Sequence, residues 1–208
     1  QHLTYQCAEE VAQMLRPGMS EIVVADMLLQ KLQARGAKAW FHRPFVWFGE
    51  RTRFHNFTVP FKFHTQENTT YRNWREKYFS PSKTVSIPHL GIEFLPTEKK
   101  LEPGMAVILD AAPINAEGFA VDIGYSFAFG SNPQVESALE HLKLHRDLIL
   151  KMLLEQHTMA EIYAACDQLL KQQDLDNCHR LYPFGVLGHR IPQISQPIPG
   201  DLHLAGFG

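Results

Sequence analysis

The chain has 208 residues, of which 45% are hydrophobic and 20% charged, and its formal net charge is −2. These values are typical of a globular domain with a buried core, and they exclude a disordered chain, a coiled coil and a collagen-like repeat. The near-neutral charge gives no general attraction to nucleic acid, and no apolar run reaches membrane-spanning length. Three cysteines without a CxxC pair predict reduced thiols. We therefore expect a single cytoplasmic domain over residues 1–208 that has no membrane partner and whose overall charge does not favour nucleic acid.

The first 36 residues predict two helices joined by a turn. Residues 7–15 have apolar side chains at helical spacing and are followed by Pro17-Gly18, which is typical of a helix stop and a turn. Ser20 is a favourable N-cap for the second helix, and Gly36 is typical of its end.

The chain then changes to aromatic and β-branched residues. Residues 39–49 predict a strand that Pro44 interrupts. Residues 51–83 hold seven Lys or Arg against two acids, with aromatic residues between them. We interpret the region around 56–95 as an insertion into the core fold. Its basic, aromatic part has three further interpretations: a nucleic-acid surface, a lid, or a partner surface.

The second half predicts a hairpin followed by helices. Residues 106–114 and 119–129 read as two strands joined by a loop that contains Gly118. A helix begins near Pro133, and the capping box Thr158–Glu161 predicts another. Two further features complete the pattern: strand-like residues at 182–191 and an irregular tail from 192. This order predicts an α+β fold, with a curved antiparallel sheet covered on one face by helices.

Two aspartates interrupt the apolar strands of the hairpin. Asp110 and Asp122 are 12 residues apart, an even number, with the loop near the middle. Because side chains alternate along a strand, both carboxylates can lie on one face of neighbouring strands. Facing like charges destabilise a sheet unless a group such as a divalent cation neutralises them. The alternative is that one aspartate faces solvent or bonds to the turn. His189, which follows a glycine, is a candidate imidazole ligand.

These residues, in this order, resemble metallopeptidase family M24, the pita-bread enzymes. The family includes methionine aminopeptidase, proline aminopeptidase, prolidase and creatinase. Pro17-Gly18-Met19-Ser20-Glu21 is similar to the junction between its first two helices, and Leu101–Gly104 is similar to the lead-in to its first aspartate strand. Residues 41–50 resemble the strand before the substrate site in the branch of proline-specific peptidases.

The resemblance implies a dinuclear centre of Mn, Co, Fe or Zn in which Asp110, Asp122 and His189 are ligands. It implies hydrolysis of an N-terminal or dipeptide amide bond, with an Xaa-Pro-like peptide substrate favoured, by a metal-activated hydroxide. Family members often form homodimers. The histidine that contacts the substrate is His55 by its local sequence, or His89 by its distance of 21 residues before Asp110. His42 is a third candidate.

The chain also departs from the family pattern. Two glutamate ligands normally follow the Gly-His strand, but Asp201 is the only acid after His189. The expected fold is therefore a pita bread without its C-terminal strands. Two hypotheses follow: a metallopeptidase, or a catalytically degenerate pita-bread protein that binds a peptide or a partner.

Overall fold

The structure is a computed structural model that describes residues 1–53 and 95–177. The helices and strands of this part are α1 (His2–Met14), α2 (Glu21–Ala34), β1 (Ala39–Phe48), a 3-10 turn (Gly49–Thr52), β2 (Ala106–Ile114), β3 (Ile123–Ala128), α3 (Pro133–Leu154) and α4 (Met159–Gln172). The strand predicted at 182–191 and the insertion predicted at 56–95, except for residue 95 itself, lie outside the described residues.

The three strands form one antiparallel sheet in the order β1-β2-β3. Helix α2 packs against β1, and α1 packs against α2 and β3. In β2, Val107, Leu109 and Ala111 are fully buried in the core shared with α1 and α2. Because side chains alternate, Asp110 lies on the opposite face of the sheet. The prediction of an α+β fold with one helix-covered sheet face is confirmed.

Element boundaries differ from the sequence patterns at three places. Helix α1 begins at His2 rather than at residue 7, and it has no side-chain cap at its N-terminus. Pro44 does not end β1, which continues to Phe48 through a shift in register. Strand β3 is shorter than the predicted 119–129, although the pairing of Ile114 with Ala120 extends the ladder towards the loop.

Glu21, at the start of α2, is fully buried and joins three parts of the chain. Its carboxylate accepts hydrogen bonds at 2.9 Å from the backbone N–H of Phe48 and from the Arg51 guanidinium. It also accepts bonds from the backbone N–H and hydroxyl of Thr97, at 2.9 and 2.7 Å. Arg51 in turn donates to the Leu95 carbonyl at 2.9 Å. Through Glu21 and its ion pair with Arg51, residues 48–51 are therefore joined to residues 95–97.

This network gives a prediction about stability. In Glu21→Gln, one carboxylate oxygen becomes an NH2 group that faces N–H donors, and Arg51 loses its counter-ion. Breaking a buried pair at one partner costs about 3–5 kcal/mol, so we expect a loss of about 3 kcal/mol in the free energy of unfolding, measured by urea denaturation.

Glu10→Gln is the matched control. Glu10 pairs with Lys31 at 2.6 Å and with Arg35 at 2.8 Å, but 37% of its side chain is exposed, whereas the Glu21 side chain is fully buried. Exposed ion pairs contribute little to stability. Equal effects of the two substitutions would contradict the special role of Glu21.

Within the described part of the chain, no helix is both long and apolar enough to span a membrane.

Candidate metal centre

The hairpin loop fixes the register of the two aspartate strands. The Asn115 side chain accepts hydrogen bonds from the backbone N–H groups of Glu117 and Phe119, at 3.0 and 2.8 Å. Gly118 adopts a φ of +83°, a left-handed conformation that favours glycine. These local bonds set the turn from which both strands extend.

In this register Asp110 pairs with Gly124. The same pairing continues through the hydrogen bond from Val121 N–H to the Pro113 carbonyl, at 2.9 Å. Asp122 therefore lies on the same face as Asp110, one step diagonally across the ladder, as the even spacing predicts.

An irregularity in β1 adds a histidine to this face. His42 pairs with Ala112, and Phe45 pairs with Asp110, so three steps along β1 match two steps along β2. This bulge, which contains Pro44, turns His42 and Phe45 to the same face, although residues three apart in a regular strand point to opposite faces. The two rings stack with centroids 4.8 Å apart and an interplanar angle of 6°.

The His42 side chain lies between the two aspartates. Its Nε2 is 3.3 Å from Oδ1 of Asp110 and 3.5 Å from Oδ1 of Asp122. One potential ligand atom from each of the three side chains lies within 4.8 Å of the others. The other ring nitrogen, Nδ1, is 3.0 Å from the Arg43 carbonyl. The structure thus brings the two aspartates of the hairpin together with a histidine from β1 in a single His–Asp–Asp group.

Burial and neighbouring charges shift the pKa values of Asp110 and His42. Burial raises the pKa of Asp110 to about 6; the charge of His42 opposes this shift and the charge of Asp122 adds to it. Burial lowers the pKa of His42, but the contact with Asp122 and the two negative charges outweigh burial and raise it overall. Oδ1 of Asp110 is buried and accepts no hydrogen bond within the described part of the chain, because its contact with His42 lacks hydrogen-bond geometry. A buried acceptor without a donor is costly and marks a place where a cation would bind.

The structure does not describe the other predicted site residues. His55, His89 and His189 lie outside the described residues, so their roles as substrate contacts and metal ligand stay predictions. Among the candidate substrate histidines, the sequence pattern favours His42 least, because the pattern does not show the bulge in β1. The only signal was Pro44 within a strand pattern, since proline inside a sheet is confined to edges and bulges.

An open groove among the described residues lies away from this group. It has a volume of about 400 Å³ and lies between α1 and β3, lined by Glu9, Gln13, Tyr125 and Phe127 among others. The His–Asp–Asp group takes no part in it. A metal centre needs convergent donor atoms and not a large volume, so the distance of this groove from the His–Asp–Asp group does not weaken the candidate site.

The family model for metallopeptidase family M24 matches residues 1–198, and the chain belongs to this family. Among solved structures it is similar to an X-Pro aminopeptidase from Thermotoga maritima MSB8, with a TM-score of 0.54 and 14% identity over 83% of this chain and 38% of that one. It is also similar to an Xaa-Pro dipeptidase from Bacillus anthracis, with a TM-score of 0.53 and 20% identity over 96% and 44% of the two chains. A third similar structure is the dipeptidase PepE from Mycobacterium ulcerans, with a TM-score of 0.55 and 17% identity over 83% and 37%.

These comparisons confirm the predicted family and the pita-bread fold. The chain spans less than half of the length of these solved structures. No curated protein sequence matches it.

The raised pKa of Asp110 leads to a second prediction about stability. In metal-free protein at pH 7, Asp110→Asn removes a charge that the folded environment disfavours, as its raised pKa indicates. We expect the free energy of unfolding in EDTA to rise by about 1 kcal/mol. The exposed residue Asp147 supplies the control substitution, Asp147→Asn, which should change little. A clear loss of stability in Asp110→Asn would show that Asp110 serves the fold rather than a site.

Proposed function

We propose that this chain contributes metal ligands to a peptidase of the M24 type. Its substrate would be the amide bond of a dipeptide or of a peptide N-terminus, with Xaa-Pro favoured. The observation that carries the proposal is the His–Asp–Asp group, in which a buried carboxylate oxygen has no hydrogen-bond donor. Its two aspartates come from the β2–β3 hairpin and its histidine from β1, in a chain that belongs to metallopeptidase family M24.

The donor atoms suit a divalent metal. Carboxylate oxygens favour hard cations and imidazole favours borderline ones, so Mn, Co, Fe and Zn are all compatible with this set. Asp110 and Asp122 would hold the metal, with His189 as the imidazole ligand that the family resemblance implies. When bound, such a cation acts as a Lewis acid that polarises a carbonyl and activates water.

The fold holds the two aspartates close together without a bound cation. The hairpin register brings two negative charges together, and each aspartate side chain keeps about a quarter of its surface exposed, at 26% and 24%. His55 or His89 would contact the substrate amide. The names of two similar structures, an X-Pro aminopeptidase and an Xaa-Pro dipeptidase, support the substrate class. A homodimer and a cytoplasmic location stay predictions of the same hypothesis.

The test combines metal analysis with peptidase assays on the purified chain. We expect the protein to retain Mn or Co after loading and desalting, and Asp110→Asn and Asp122→Asn to lose that metal. Asp147→Asn should retain it. Hydrolysis of an Xaa-Pro dipeptide or of an N-terminal Xaa-Pro peptide should require the metal, exceed that of matched Xaa-Ala peptides and fall to background in both site variants.

Two results would change this account. Full metal content in Asp110→Asn would refute the ligand assignment. Peptide binding by the metal-loaded chain without any hydrolysis would favour the degenerate, peptide-binding alternative, which predicts the same fold without catalysis.

A further inference from the structure

We propose that His42 is itself a metal ligand, so that His42, Asp110 and Asp122 together hold one ion in a four-coordinate site with one open position. This inference rests on the proposed function and deepens it. The family resemblance assigns the imidazole to His189 and at most a substrate contact to His42. The geometry of β1 points to a direct role for His42 instead.

The first argument is the spacing of the donor atoms. In a tetrahedral site with metal–ligand distances of about 2.0–2.2 Å, neighbouring ligand atoms are about 3.3–3.6 Å apart. In an octahedral site with the same distances they would be about 2.8–3.1 Å apart. Nε2 of His42 is 3.3 Å and 3.5 Å from the two carboxylate oxygens, which matches the tetrahedral spacing. The three atoms already lie within 4.8 Å of one another, and a cation would draw the two repelling carboxylates closer together.

The second argument is the orientation of the imidazole ring. A backbone carbonyl can only accept, so the 3.0 Å contact with Arg43 places a proton on Nδ1. Nε2 is then the nitrogen whose lone pair can bind a metal, and it is the nitrogen that faces both aspartates. Metal-binding histidines commonly donate their other N–H to a carbonyl in this way.

The third argument is that the ring is held in place without the metal. It stacks on Phe45, the bulge fixes its direction, and only 13% of the His42 side chain is exposed. The side chains of the two aspartates are about twice as exposed, at 26% and 24%. An ion held there would have three protein ligands, which is the number that catalytic zinc sites use.

Cobalt binding to the purified chain tests this inference through the absorption spectrum of Co(II), without any activity assay. His42→Phe keeps a ring that can pack on Phe45 but removes the donor atom. We expect Co(II) affinity at least about tenfold weaker than in the wild type, and a changed visible spectrum. His42→Cys places a thiolate at the same position, and it should give a new sulfur-to-cobalt charge-transfer band in the near ultraviolet.

The matched control is His157→Ala. His157 also lies between two carboxylates, Glu155 at 3.5 Å and Glu161 at 3.6 Å, but at an exposed position. Its loss should leave the affinity and the spectrum unchanged. Circular dichroism checks that each variant folds, and if His42→Phe does not fold, the band of His42→Cys decides alone.

The possible failures are distinguishable. Wild-type affinity and spectrum in His42→Phe, or no charge-transfer band in folded His42→Cys, would overturn the role of His42. The proposed function would survive that result if Asp110→Asn and Asp122→Asn still lost the metal. A wild-type chain that binds no Co(II) would overturn both proposals.

Discussion

The register of one β-hairpin is the constraint on which the candidate site depends. Local hydrogen bonds to Asn115 and the left-handed conformation of Gly118 fix the turn. From there the ladder places Asp110 and Asp122 on the same face of the sheet. A slip by one residue would move one aspartate into the helix-covered core, where its charge could not be tolerated. The packing of that core therefore protects the geometry of the site on the other face.

Glu21 and Asp110 have opposite hydrogen-bonding environments in this fold. Glu21 is fully buried, and its oxygens are surrounded by donors from Phe48, Arg51 and Thr97. Asp110 is held beside another negative charge, and one of its oxygens has no donor within the described residues. The first arrangement stabilises the fold, while the second costs stability and provides a place for a cation. This contrast distinguishes a structural acid from a candidate ligand without reference to any relative.

The sequence predicts most of the fold because its signals are local. Ser20 and the Thr158–Glu161 capping box mark helix starts that the structure reproduces. The even spacing of the aspartates predicts their common face, since strand periodicity depends only on counting residues. The face on which His42 lies cannot be predicted by counting residues, because the bulge at Pro44 interrupts the alternation of side chains along β1. The sequence pattern does not indicate the burial of Glu21, since its partners come from two distant segments, Phe48–Arg51 and Thr97. His189, His55 and His89 lie outside the described residues and keep the roles that the family resemblance implies.

Anomalous diffraction from a cobalt-loaded crystal of the chain, collected at the cobalt absorption edge, tests the central claim most directly. The account predicts a peak within about 2.2 Å of a carboxylate oxygen from both Asp110 and Asp122. Nε2 of His42 should lie at a similar distance from the peak. A peak bound to other side chains, or fully loaded protein with no peak between these two aspartates, would contradict it.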